Sequence, residues 1–195
     1  MRRLPITATL VVLAAVAVMI GLGLWQLDRA QWKARLLERY DVNAALAPVA
    51  FPVGTAADDS LLYRRAEGQC LHVTGWAARA GRDRTGRSGW RHVAQCRTAT
   101  GDMAVDFGWS VRADNPVSDV TGRVTGRIAP DSRHVYLLVA DHPAPGLAPS
   151  AAPTPAEIPN NHRSYAVQWF FFAGVALLIY LMALRQKLAG NGRAS

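Results

Sequence analysis

The sequence lacks the short motifs that carry the commonest enzymatic chemistry. It has no glycine-rich phosphate loop, no Gly-x-Ser-x-Gly nucleophile elbow and no His-Glu-x-x-His zinc helix. No nucleophile, base and orienting group can be assembled from the motifs present, which argues against an enzyme. Basic residues interleaved with aromatics are missing too, so nothing indicates nucleic-acid binding despite a net charge of +8.

Two long segments lack charged residues. Residues 4–27 and 164–184 contain no Asp, Glu, Lys or Arg, and each is long enough as a helix to cross a bilayer core of about 30 Å. A cleavable signal peptide is the alternative for the first segment, but its apolar core is longer than signal peptides usually have and ends in Trp25, Gln26 and Leu27. We therefore expect two helices spanning a lipid bilayer, the first of them uncleaved.

The two tails outside these segments lack acidic residues. All 14 Asp and Glu residues lie between the helices, whereas the tails carry five basic residues: Arg2, Arg3, Arg185, Lys187 and Arg193. The positive-inside rule then places both termini in the cytoplasm and residues 28–163 on the other side of the membrane.

Glycine and proline are absent from residues 28–46, which are rich in Ala, Leu, Arg and Glu. Trp32, Leu36 and Tyr40 recur there at helical spacing. The first helix is therefore predicted to continue beyond the membrane to about residue 46, shortly before Pro48.

Short β-branched and aromatic runs alternate with turn residues between residues 63 and 141. Strands are predicted at 69–78, 90–99, 103–111, 117–128 and 133–140. This pattern favours an antiparallel β domain forming a small open barrel or sandwich. The five arginines of residues 79–91 are interpreted as a solvated hairpin loop in preference to an anion site.

The predicted fold is a membrane protein of the α+β class, with two transmembrane helices flanking a mostly antiparallel β outer domain. Six of the 11 prolines fall in residues 142–159, which predicts an extended strap. The expected organisation is a tail (1–3), a transmembrane helix (4–27, continuing to about 46), a β-rich domain (47–142), the strap (143–160), a second transmembrane helix (161–184) and a tail (185–195).

Cys70 and Cys96 are the only cysteines, and both fall in predicted strands. Three interpretations remain open: a disulfide, two unreactive thiols, or a metal site completed by His72 and His92, whose spacing lacks a tight Cys-x-x-Cys knuckle.

His162 immediately precedes the second apolar segment and shares one helical face with Tyr165 and Trp169. Two interpretations follow. The imidazole is an axial ligand of haem iron, with Arg29 and Arg163 pairing with the propionates at the membrane surface, or it only caps a helix or bonds a loop.

Trp25 and Trp169 lie near the outer ends of the two segments, where tryptophans are commonly interfacial anchors. A shared wall for a flat apolar ligand is the alternative. His134 and His142 have no obvious partners and are predicted to be surface residues.

Two motifs carry a resemblance to a known family. Leu-Gly-Leu-Trp-Gln-Leu at residues 22–27, followed by Arg29, resembles the first-helix signature of the surfeit-locus-one (Shy-type) family of cytochrome c oxidase assembly factors. Asn160-Asn161-His162, followed by Tyr165-Ala166 and Gln168-Trp169-Phe170, resembles its second-helix signature. Weaker similarities are Tyr63-Arg64-Arg65, Gly75 and Gly108-Trp109.

The resemblance implies a non-enzymatic factor in a bacterial inner membrane, with a periplasmic central domain, that binds haem a transiently and helps insert it into oxidase subunit one. The implied partners are subunit one and the haem a synthesis machinery, and His162 corresponds to the family's haem-iron ligand. The predicted cofactor-binding residues are His162, Tyr165, Trp169, Trp25, Gln26, Arg29 and Arg163. The alternative is a cofactor-free membrane scaffold that stabilises oxidase subunits or assembly intermediates through its β domain.

The chain departs from the family in its middle. Residues 105–110 read Val-Asp-Phe-Gly-Trp-Ser where the family usually has Val-Asn-Arg-Gly-Trp-Val. An arginine is lost and an acid is gained, a change expected to affect partner contacts of the β domain more than the haem site.

Overall fold

The computed structural model describes residues 5–114 and 120–190 and contains two compact units. One unit comprises the chain up to Leu36 and from Pro159 onward, and the other is Leu37–Ile158. Helix α1 (Ile6–Ala45) runs from the first unit into the second, whereas helix α2 (His162–Gly190) belongs to the first. Arg2, Arg3 and Arg193 of the predicted tails lie outside the described residues, as does the beginning of the strand predicted at 117–128.

Both helices are long and apolar enough to cross a membrane. The most apolar 18-residue stretch of each helix has few or no charged residues, and only 6% of it is buried within the protein. Leu10 and Phe171 are 62% and 65% exposed. Such exposure of continuous apolar surface is compatible with a membrane protein, because a core helix of a soluble protein would bury these side chains.

The second unit contains one seven-stranded sheet. Its strands are β1 (Val49–Ala50), β2 (Arg65–Cys70), β3 (His72–Arg82), β4 (Ser88–Arg97), β5 (Asp102–Ser110), β6 (Gly122–Pro130) and β7 (Tyr136–Ala140). The order across the sheet is β1-β2-β6-β7-β5-β4-β3. The pairs β1–β2 and β5–β7 are parallel and the other neighbours antiparallel, so the expected α+β class is present with a mixed sheet.

The sheet must curl, because β2 is second in the order and β3 is last, yet only Leu71 separates them in sequence. The Leu71 amide donates to the carbonyl of Arg97 at the end of β4, 2.8 Å away. Across the interior, a Cβ on Gly68 of β2 would lie 2.7 Å from the Met103 sulfur of β5. The two ends of the sheet therefore approach each other at this corner.

Strand β5 forms the centre of the unit. All of its residues from Met103 to Trp109 are buried, including the acidic Asp106. A run buried on both faces has no alternation of polar and apolar residues. A cluster of buried apolar side chains from β4, β5, β6 and β7 packs here, namely Val93, Ala104, Ala129, Leu137 and Val139.

Three local predictions are wrong. The strand predicted at 69–78 is broken at Leu71, so its halves belong to β2 and β3. The loop predicted at 79–91 is mostly strand, since β3 continues to Arg82 and β4 begins at Ser88. His134 is not a free surface residue, because its Nδ1 bonds Asp131 Oδ2 at 2.7 Å and its Nε2 contacts the Gln95 side chain.

The carboxyl end of α1 is capped from within the second unit. No basic residue occurs in the last turn of α1. Instead, Arg64 Nε donates to the carbonyl of Ala47 at 2.9 Å and Arg127 Nη1 to that of Ala44 at 3.5 Å. The Ala44 carbonyl is one of the orphan carbonyls of the last turn, whereas Ala47 lies two residues beyond the helix. Both guanidinium charges complement the helix dipole at this end.

The proline-rich strap lies along the sheet rather than away from it. The backbone of Ala148 exchanges two hydrogen bonds with Trp109, at 2.7 and 2.9 Å. The amide of Ala151 donates to the carbonyl of Arg82 at 2.9 Å, next to an isolated bridge between Asp83 and Ser150. These bonds hold the strap against the ends of β3 and β5.

Candidate functional site

Small side chains line the contact between the two helices of the first unit. Gly23 and Ala30 of α1, and Ala166 and Ala173 of α2, are all buried. A Cβ on Gly23 would lie 2.5 Å from Cε1 of Phe170. Glycine therefore allows the Phe170 ring to approach the backbone of α1, as small residues do between apolar helices.

Helix packing brings the imidazole of His162 against Gln26. Nδ1 of His162 lies 2.8 Å from the amide oxygen Oε1 of Gln26. That oxygen only accepts, so Nδ1 is the donor in this hydrogen bond, and in the neutral imidazole the lone pair is then on Nε2. A histidine whose other ring nitrogen is held by an acceptor is the usual arrangement of an oriented metal ligand.

The two asparagines before His162 begin α2. The carbonyl of Asn161 accepts the first helical hydrogen bond, from the Tyr165 amide at 3.2 Å. The Asn160 side chain donates to the carbonyl of Ala30 on α1 at 3.4 Å. Within the described residues its Oδ1 is buried and has no hydrogen-bond partner. This end of the helix pair therefore contains a buried polar acceptor two residues from His162.

The other predicted site residues are less enclosed. Trp25 is 54% and Tyr165 50% exposed, and Trp169 makes an edge-on contact with Phe172 at 6.4 Å. The guanidinium of Arg29 stacks over Trp32, 4.4 Å from the ring centroid, and Arg163 is exposed. Of the seven predicted cofactor-binding residues, His162 and Gln26 are joined by a direct hydrogen bond. A cofactor-binding role stays a prediction for all seven.

The two cysteines are joined in the second unit. Cys70 and Cys96 form a disulfide with their Cα atoms 5.2 Å apart, which ties the end of β2 to β4 at the corner where the sheet curls. Neither sulfur is then available to a metal ion, and the described residues contain no cluster of His, Cys, Asp and Glu suited to one. Of the two histidines in that alternative, His72 is exposed, and His92 is buried with Nε2 2.9 Å from Ser110 Oγ.

The family model described as the SURF1 family matches residues 13–174, a range that includes both helix motifs and the entire sheet. The chain belongs to the SURF1 family. Membership implies a role in cytochrome c oxidase assembly, and the SURF1 family consists of assembly factors rather than catalytic enzymes. No curated protein matches the chain significantly.

The weaker SURF1 similarities fall at backbone features of the second unit. Tyr63 has a left-handed backbone, with φ of 65°, and its ring packs on Tyr40 at 4.9 Å. Gly108 has φ of 134°, and a Cβ there would lie 2.7 Å from the carbonyl oxygen of Ala148. These positions therefore hold the end of α1 and the strap against the sheet.

The departure from the SURF1 pattern is in the interior, not on the surface. Asp106 is fully buried and Phe107 is 3% exposed. Asp106 Oδ2 accepts from Arg91 Nε at 2.7 Å, and its Oδ1 accepts from Ser150 Oγ at 2.9 Å and from the Gly108 amide at 3.0 Å. Burial raises the pKa of Asp106, and the Arg91 charge and these hydrogen bonds lower it in part. The sequence analysis did not predict this network. The available signal was a single acidic residue within the otherwise uncharged strand segment Met103–Trp109.

Proposed function

We propose that this chain is a membrane-anchored assembly factor that binds haem a transiently and helps insert it into subunit one of haem-copper cytochrome c oxidase. Both termini are cytoplasmic, and the curled sheet forms a small open barrel in the periplasm of a bacterium. Haem a is the cargo and supplies an iron atom that accepts an imidazole ligand.

The hydrogen bond between His162 Nδ1 and Gln26 Oε1 carries this proposal. It directs the proton to Nδ1 and leaves Nε2 as the ligating atom. It also joins the two family motifs, because Gln26 belongs to the first and His162 to the second. The unsatisfied Oδ1 of Asn160 adds an acceptor beside this site.

The remaining predicted residues fit supporting roles around His162. Tyr165, Trp169 and Trp25 supply aromatic surface for an apolar macrocycle, while Arg29 and Arg163 supply guanidinium groups for its propionates. A carrier with one protein ligand and partly exposed walls binds less tightly than a finished oxidase site. Such weak holding suits transfer, since the cargo moves to the protein with better ligation.

Three observations support the compartment. The described basic residues beyond the second apolar segment are Arg185 and Lys187, which fits a cytoplasmic carboxyl end. The buried Cys70–Cys96 disulfide fits an oxidising compartment for the second unit. The exposed apolar surface of both helices fits a bilayer.

A cofactor-free scaffold is the second candidate, and strand β3 favours it. This strand has 11 residues and stands at the end of the sheet, where β4 is its one neighbour in the described sheet. A long edge strand can pair with a strand of another protein through its unpaired backbone groups. In this alternative the β domain retains oxidase subunits while His162 only stabilises the start of α2.

Replacement of the proposed iron ligand, His162, distinguishes the haem carrier from the cofactor-free scaffold. The full-length protein is co-expressed with the enzymes of haem a synthesis, purified, and its haem absorption spectrum is measured per mole of protein. His162→Ala should lose most of the bound haem, because the iron loses its protein ligand. Gln26→Leu should retain His162 but leave its imidazole less well oriented, so the haem content should fall less than in His162→Ala.

The matched control is His142→Ala, which removes an exposed histidine of the second unit. It should keep the wild-type haem content and spectrum. If His162→Ala also kept them, the ligand assignment would be wrong. Colourless wild-type protein that still co-purifies with subunit one would instead support the scaffold.

A further inference from the structure

A cavity with two arginines in its wall lies wholly within the β-rich unit. It has a volume of about 570 Å³ and lies between the end of β3, the first half of β4, the turn at Tyr63 before β2, and strap residues from Ala151 to Ile158. This size is typical of pockets that enclose small organic molecules. None of the seven residues that we assign to haem binding is among its lining residues.

Two arginines supply the charge of this cavity. Arg82 and Arg91 both line it, and no acidic residue is among the lining residues of the described chain. Arg82 is exposed and makes no side-chain hydrogen bond or ion pair with the described residues. The Arg91 side chain is 26% exposed, so part of it is open to the cavity that it lines. Its Nη2 is itself buried and has no hydrogen-bond partner in the described part of the chain. An oxyanion in the cavity would add an acceptor beside a guanidinium whose hydrogen bonds are incomplete.

Arg91 is held in position by an anchored network. Its Nε donates to Asp106, whose other oxygen accepts from Ser150 at the start of the strap wall. Its aliphatic stem passes over Gly81, where a Cβ would lie 2.2 Å from Arg91 Cδ. With Nε committed to Asp106 and the stem confined by Gly81, the orientation of the guanidinium is set before any ligand arrives.

The rest of the cavity wall is largely apolar. Aliphatic and proline side chains line it, namely Ala129, Pro130, Val139, Ala151, Pro153 and Ile158. Tyr63, with its left-handed backbone, borders the same space. Strained bulky residues concentrate at ligand sites, where the surrounding structure holds them in place.

We propose that this cavity is a binding site for a carboxylate carried on a compact apolar body, with the guanidinium groups of Arg82 and Arg91 binding the oxygens. Guanidinium groups bind planar carboxylates through paired hydrogen bonds. The arginine-rich segment 79–91 then has a ligand-binding role instead of that of a solvated loop. The site does not depend on haem binding.

The test uses the full-length protein in nanodiscs of phosphatidylcholine alone, so that no anionic lipid competes. The probe is 4-(trifluoromethyl)benzoate, followed by fluorine NMR, and its neutral match is 4-(trifluoromethyl)benzamide. We expect saturable binding of the benzoate and at least about tenfold weaker binding of the amide, as loss of a charge-assisted hydrogen bond predicts.

Two variants address the arginines separately. Arg82→Gln removes the exposed guanidinium, and Arg91→Lys keeps a cation beside Asp106 while removing Nη2. Each should weaken benzoate binding by about tenfold. Arg84→Gln is the matched control, because Arg84 is a neighbouring exposed arginine that bonds the carbonyl of Asp141 and does not line the cavity. Its affinity should equal that of the wild type.

Four results would overturn the proposal. These are absence of saturable benzoate binding, equal binding of benzoate and benzamide, wild-type affinity in correctly folded Arg82→Gln, and displacement of the benzoate by inorganic phosphate at equal concentration. The last would indicate a general anion site with no use for the apolar wall. Circular dichroism establishes the fold of each variant, and Arg82→Gln should fold because its side chain is exposed.

Discussion

Asp106 shows how one substitution relative to the family pattern is accommodated at the scale of a residue. Burial of a carboxylate among apolar strands opposes ionisation, which raises its pKa. Arg91, Ser150 and the Gly108 amide each direct a donor at this carboxylate. These partners offset only part of the desolvation cost, and removal of one member would leave the others buried without a partner.

We therefore expect Asp106→Leu, which preserves approximate shape, to lower the free energy of unfolding by about 3–5 kcal/mol, because Arg91 Nε and Ser150 Oγ lose their acceptor. Thermal or urea unfolding, followed by tryptophan fluorescence in detergent, measures the loss.

The control for this prediction is Asp114→Leu. Asp114 pairs with Arg112 at the surface, and the two side chains are 71% and 79% exposed. An exposed pair contributes about 0–1 kcal/mol. Equal losses in the two variants would contradict a special role for the buried network.

At the scale of an element, the contact between α1 and α2 depends on which glycine faces the partner helix. A Cβ on Gly23 would meet the Phe170 ring, whereas nothing lies within 4 Å of a Cβ on Gly21. The two glycines are two residues apart on the same helix and therefore provide a matched pair.

Gly23→Ala should destabilise the protein by about 1–3 kcal/mol, since the methyl group displaces Phe170. Gly21→Ala should be neutral or stabilising by up to about 1 kcal/mol, because alanine is the better helix former. The midpoint of thermal unfolding in detergent gives the sign of each change. A lower midpoint for Gly21→Ala than for Gly23→Ala would contradict the packing described for the two helices.

The elements could be predicted from sequence where one local property decides them. Long uncharged runs identify both helices. His162 could be identified as a candidate ligand because it immediately precedes the second of these runs. The break at Leu71 was not predictable, since residues on both sides favour strand and the break depends on distant pairing with β6 and β4. The bond from His162 to Gln26 depends on the register of α1 against α2, which Gly23 and Phe170 set through space.

At the scale of the whole molecule, the disulfide and the distribution of charged residues favour the same membrane topology. The Cys70–Cys96 disulfide lies in the β-rich unit, and such bonds persist in oxidising compartments. The basic tails in the sequence contain no acid, and the positive-inside rule predicts a cytoplasmic location for such tails. Both observations support the proposal that the chain crosses the membrane twice.

We accordingly expect reporter fusions at Ser195 and near Gly86 to give opposite compartment signals, with Ser195 cytoplasmic and Gly86 periplasmic. The same signal from both positions would refute the two-span topology.

The cysteines give an independent check, because periplasmic residence predicts that neither thiol is alkylated until the purified protein is reduced. Alkylation of both without reduction would place the β-rich unit in a reducing compartment. The proposed location of His162 at the outer membrane surface would then lose its support, since His162 follows that unit closely in sequence.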